Sequence, residues 1–144
     1  MKTSMQITEK IALRKVGDIE LPWVSIHLLE KRILYLRFKP FEDEIDLEMA
    51  KRHSKAISEF LNGDGAYFIV NFTNTHIVFS NEAREFFATD ANHTKLRLSQ
   101  AIVIDTLAYK IVANFYIRFN KPVGPTKIFE DLESAFKWTF TKIL

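Results

Sequence analysis

Two short apolar runs constrain this chain more than any other feature: Ala66-Tyr67-Phe68-Ile69-Val70-Asn71-Phe72, and Ala101-Ile102-Val103-Ile104 at the centre of Ser99–Asp105. Each suits a strand covered on both faces. Each is followed by a segment of helical periodicity. Strands of this kind alternating with helices imply right-handed crossovers and a mainly parallel sheet.

The remaining elements follow from the same reading. Trp23, Ser25, His27 and Leu29 alternate with Val24, Ile26 and Leu28, which predicts a strand. Glu30-Lys31 make the turn, and Ile33 to Phe38 return antiparallel before Pro40. Asp46 caps a helix carrying Leu47, Ala50, His53, Ile57, Phe60 and Leu61 at helical spacing, and Asn62-Gly63-Asp64-Gly65 stops it. Ser80 caps a second helix from Asn81 to about Asp90, and Thr106 opens a third. In that third helix Leu107, Ile111, Val112, Phe115 and Phe119 form one apolar stripe, expected to be buried. Thr126-Lys127-Ile128-Phe129 read as a last strand, and Asp131 caps the final helix. The expected order is β-β-α-β-α-β-α-β-α, an α/β fold with one antiparallel edge strand. It occupies 21–144 as a single domain. Residues 1–20 read as an N-terminal extension, with a short element around Ile11–Val16.

Composition removes several functions. Twenty basic against eighteen acidic residues leave a net charge of +2, without the concentrated basic face of a nucleic-acid binder. There is no cysteine, so disulfides, zinc–thiolate sites and thiol catalysis are excluded. No stretch approaches the apolar length of a membrane span or a signal peptide, so no stable membrane insertion and a cytoplasmic setting are expected. The four histidines lack metal-ligand spacing, so neither a metal nor a cofactor is expected. The thirteen phenylalanines fill a core, or in part line a pocket or an interface.

Three segments carry a family resemblance. They are Leu28-Leu29-Glu30-Lys31-Arg32-Ile33-Leu34-Tyr35, the helix start Ser80-Asn81-Glu82-Ala83-Arg84, and Asn114-Phe115 through Asn120-Lys121-Pro122 to Pro125-Thr126-Lys127-Ile128-Phe129. With the element order, they make residues 22–144 resemble the SpoIIAA-like STAS fold, typified by bacterial anti-sigma-factor antagonists, and especially the bacterial STAS/SEC14-like proteins. In the antagonists an Asp-Ser-Ser-Gly run carries a phosphorylated serine that controls docking. The stretch here reads Phe79-Ser80-Asn81-Glu82, in which only Ser80 keeps a hydroxyl. The resemblance implies a non-enzymatic regulatory or protein-interaction module. Its SEC14 side implies instead a binder of a small apolar, lipid-like or anionic ligand.

The candidate site residues follow from position. Ser80 and Asn81 begin a helix, where backbone N–H groups and the dipole favour an anion, a phosphate on Ser80 or a docking partner. Plain helix capping by Ser80 is the simpler account. Asn74, Thr75 and His76 lie after a central strand, with Asp105 and Thr106 ending its neighbour, where open α/β sheets bind ligands. Ordinary turn and capping chemistry is the simpler account of these residues. His53 reads as a hydrogen-bonded core residue. Glu42, Asp43 and Glu44, like Lys51, Arg52 and Lys55, read as solvated surface charge. No Gly-rich phosphate loop, nucleophile elbow or His-Glu-x-x-His pattern appears, and no catalytic residue is assigned.

The third helix also carries Tyr109, Tyr116 and Ile117, so it is apolar nearly all round. That pattern predicts burial on more than one side, by self-association as a homodimer, by a protein partner, or over a cavity. Tyr109 and Tyr116 are the candidate interface residues. Packing beneath the terminal helix is the alternative.

Overall fold

The computed structural model describes residues 13–143, and the first twelve residues, with the start of the expected Ile11–Val16 element, lie outside that range. One six-stranded sheet runs in the order β1-β2-β3-β4-β5-β6. Its strands are β1 (Lys15–Leu21), β2 (Val24–Leu29), β3 (Ile33–Phe38), β4 (Ala66–Asn71), β5 (Arg97–Val103) and β6 (Thr126–Phe129). β1, β2 and β3 form an antiparallel meander, and β3 to β6 are parallel. The helices are α1 (Leu47–Leu61), α2 (Asn81–Thr89), the single turn α3 (Ala91–Thr94), α4 (Leu107–Phe115) and α5 (Leu132–Ile143). A π-helical turn, Tyr116–Asn120, prolongs α4.

The local signals act as the sequence predicts. The Asp46 side chain accepts the Met49 N–H at 2.9 Å and starts α1, and Asn62 ends it in a left-handed conformation (φ 52°). Ser80 Oγ accepts from Ala83 N at 3.0 Å, Thr106 Oγ1 from Tyr109 N at 3.2 Å, and Asp131 from Ser134 N at 2.7 Å.

Residues 15–20, read from the sequence as an extension, instead belong to the edge strand β1. β2 is antiparallel as expected, but it lies one strand in from the edge. β1 has few inward apolar groups, chiefly Ile19 and Leu21, and owes its conformation to its ladder with β2. A strand held mainly by backbone pairing leaves little side-chain pattern to read.

Strand alternation divides the core. Phe68 and Val70 of β4 join Leu34, Leu36 and Phe38 of β3 beneath Ile57 and Leu61 of α1. Ile69 of β4, Ala101 and Val103 of β5 and Tyr35 of β3 face the other way, onto Ala135 and Phe136 of α5. Every crossover between parallel strands steps the same way along the sheet, so α1, α2 and α4 share one face. α5 covers the other face. Among the described residues, no helix is long and apolar enough to cross a membrane.

Candidate functional site

α4 does not close onto the sheet. None of its nine residues is buried, and beneath it lies a cavity of about 220 Å³. Phe68 and Val70 of β4, with Gln100 and Ile102 of β5 and Ile104 just beyond it, supply the floor. Tyr109, Val112, Ala113 and Tyr116 face it from α4 and the π turn. Ile77, Val78 and Phe79 wall it from the loop before α2, and His53, Phe87 and His93 from α1, α2 and α3.

This arrangement reverses the expected orientation of α4. Most of the stripe predicted to be buried points to solvent, with Leu107 74%, Ile111 62%, Phe119 61% and Phe115 47% exposed, while Val112 keeps one side on the cavity. The outer rings of Phe115 and Phe119 pack on each other at 4.5 Å. Tyr109 and Tyr116, predicted as interface residues, are half-buried and turned toward the cavity. The helix is held at its far end by Asn120, whose Nδ2 donates to Glu85 of α2 at 2.9 Å.

The polar groups of the cavity are few. Arg97 is only 3% exposed, and it donates through Nη1 to Phe87 O at 2.8 Å and through Nη2 to Val123 O at 3.4 Å. Arg84 donates through Nη1 to Phe79 O at 2.6 Å. Nε of both arginines and Nε2 of Gln100 are enclosed without a hydrogen-bond partner. Among the described residues, no carboxylate lies within 4.0 Å of either guanidinium. Burial pushes the Arg97 guanidinium below its ordinary value, with Tyr116 beside it acting in the opposite direction. Burial raises the Tyr116 phenol, against the pull of the neighbouring Arg97 and Gln100. It raises the Tyr109 phenol in the same way.

The two histidines stay neutral. Burial brings His53 down to about 3 and takes His93 well below its usual value, with Arg97 and His53 adding to the second effect. Nδ1 of His53 accepts the Trp23 indole N–H, and Nδ1 of His93 lies 3.2 Å from Ser54 Oγ. The core role expected for His53 is what the structure gives it.

Residues 27–141 match the model of a family described as Domain of unknown function (DUF7793). The chain belongs to that family. No curated protein matches this DUF7793 chain. Its structure is similar to the crystal structure of an uncharacterized protein from the DUF3478 family with a SpoIIAA-like fold, from Shewanella loihica PV-4. The identity is 15%, the TM-score 0.55, and the match covers 88% of this chain and 93% of that one. At that identity the likeness is one of fold, and it agrees with the SpoIIAA-like resemblance of the sequence.

The polar candidates read from the DUF7793 sequence do not line the cavity, although Thr75 is buried beside Tyr109, which does. Ser80 spends its hydroxyl as a helix cap, and Asn81 is exposed beside it. Asn74 adopts a left-handed conformation (φ 60°) in the turn, Thr75 donates to Phe72 O at 2.7 Å, and His76 is exposed. Asp105 and Thr106 are both exposed, the second engaged as a cap. The same loop does reach the cavity, but through its apolar half, Ile77 to Phe79. Arg84, Arg97 and Gln100 stand out in no sequence motif. The available signal was a glutamine in register with Ile102 and Ile104 on one face of a strand otherwise buried.

Proposed function

We propose that this domain is a non-catalytic binding module that encloses a small, largely apolar molecule between α4 and the sheet. The observation that carries this reading is the stand-off of α4. A helix with no buried residue lies over a cavity walled by Phe, Val, Ile and Tyr, where packing to ordinary interior density would have filled the space. The state of the polar groups supports binding over chemistry. His53 and His93 are neutral, and the Nδ1 of each faces a structural partner. In titrations with 1-octanol, methyl resonances of Val70, Ile77, Ile102 and Val112 are expected to shift, while those of Ile33 on the opposite face stay still. Ala113→Phe, which fills the space from the helix side, is expected to abolish the shifts. Unmoved methyls up to the solubility limit of octanol would remove the reading.

A second reading rests on the outer face of α4, where Leu107, Ile111 and Phe119 present a row of exposed apolar groups. Here the domain is a regulatory module that pairs with a protein partner or a second copy through that row. Light scattering of the purified chain across a concentration series tests the self-pairing form.

A further inference from the structure

The charge inside the cavity narrows the ligand class, and this step rests on the pocket reading above. Every formally charged side chain lining the cavity is a cation: Arg84 and Arg97 contribute two positive charges and no carboxylate faces them. Both guanidinium groups are held by backbone carbonyls, which fix their position but leave their charge uncompensated. A buried cation ordinarily has a paired anion, because low-dielectric surroundings make an unpaired charge costly. Gln100 lies next to Arg97 on the same floor, and its amide nitrogen also lacks an acceptor. Tyr116 brings a hydroxyl beside both. Arg97, Gln100 and Tyr116 therefore converge at one end of an otherwise apolar space, and the guanidinium charge there has no carboxylate to match it.

We infer that the cavity takes an apolar monocarboxylate, with its carboxylate at Arg97, Gln100 and Tyr116 and its tail along Ile102 and Ile104 toward Tyr109. Size sets the tail. A dry cavity of about 150 Å³ accommodates benzene, so the 220 Å³ here suits a molecule of roughly ten heavy atoms. From Gln100 to Ile104 the strand rises about 13 Å, enough for an extended chain of eight carbons to lie along it.

Isothermal titration of the full chain with octanoate and with 1-octanol separates charge from shape. Octanoate is expected to bind about tenfold tighter. Arg97→Met should erase that preference and Arg97→Lys should retain most of it. Arg97 also ties Phe87 and Val123, so a melting curve accompanies each variant. If Arg97→Met does not fold, Gln100→Leu and Arg84→Gln carry the comparison, and each should shrink the ratio. Octanol binding as well as or better than octanoate would overturn the carboxylate assignment and leave the pocket reading standing. Binding of neither probe would remove both. An octanoate preference unchanged in every variant would place the anion elsewhere and overturn the assignment.

Discussion

Trp23 donates its indole N–H to Nδ1 of His53 at 3.0 Å, joining the turn ahead of β2 to the middle of α1 inside the core. Both side chains are buried, and the Phe38 ring stacks on His53 at 5.8 Å. The bond satisfies two polar atoms that would otherwise cost stability in an apolar setting. It also requires His53 to be neutral at Nδ1, the state that burial enforces.

That neutrality makes stability depend on pH in a definite direction. Above about pH 6.5 His53 and His93 are neutral in both folded and unfolded chains, and they contribute no slope. Below it the unfolded chain takes up protons that the folded chain refuses, until pH approaches the folded value of about 3 for His53. Stability should therefore fall by up to about 1.4 kcal/mol per pH unit for His53, and His93 acts in the same direction. Between pH 6.5 and 5, above the range where carboxylates titrate, His53 alone amounts to about 2 kcal/mol. Urea midpoints at pH 7.5, 6.5, 5.5 and 5.0 measure this. A midpoint that holds steady down to pH 5 would mean that the histidines charge inside the fold.

On the opposite face, α5 is the covering layer and Phe136 is its most buried large side chain, at 1% exposure. Phe136→Ala should cost about 3–5 kcal/mol, because a cavity opens against Tyr35 and Ile69. Loss of less than about 1 kcal/mol in urea unfolding would show that α5 is not anchored there.

The Ser80 hydroxyl caps α2, so Ser80→Ala should cost about 1 kcal/mol, whereas Ser80→Asp should keep the cap. Equal destabilisation by the two substitutions would argue that the serine acts through something other than the Ala83 N–H.

The exposed row on α4 makes the opposite forecast. Ile111→Lys and Phe119→Lys remove groups already in water and should change folding stability by no more than about 0.5 kcal/mol. If the chain pairs through this face, the same substitutions should convert it to a monomer by light scattering. A large loss of stability in the monomer would show that the row is packed in solution.

Much of the architecture was legible in the residues because its signals are local. Phe68 and Val70 against Tyr67 and Ile69 announce a strand wetted on neither face, and Asp46, Ser80, Thr106 and Asp131 announce helix starts by their side-chain oxygens. β1 carries little local signal because Lys15, Asp18 and Glu20 face solvent and its partner β2 supplies the order. The polar candidates Asn74, Thr75, His76, Asp105 and Thr106 lie at strand ends. The polar groups that meet in the cavity lie on a strand floor and a helix flank.

By itself, then, the sequence determined where strands and helices begin and end, and that the parallel strands β4 and β5 are covered on both sides. These follow from hydrogen-bond capping and apolar periodicity, which act over a few residues. Which side of α4 turns inward was decided only by the tertiary structure. A helix apolar nearly all round has two faces of similar hydrophobicity, and the choice falls to what it meets. Tyr109, Val112 and Tyr116 look onto β4 and β5, and Leu107, Ile111 and Phe119 are left outside. The meeting of Arg97 and Gln100 with Arg84 and Tyr116 is likewise a product of three elements brought together. No short-range pattern encodes it, because the distance between those side chains exists only once the sheet and its crossovers are wound.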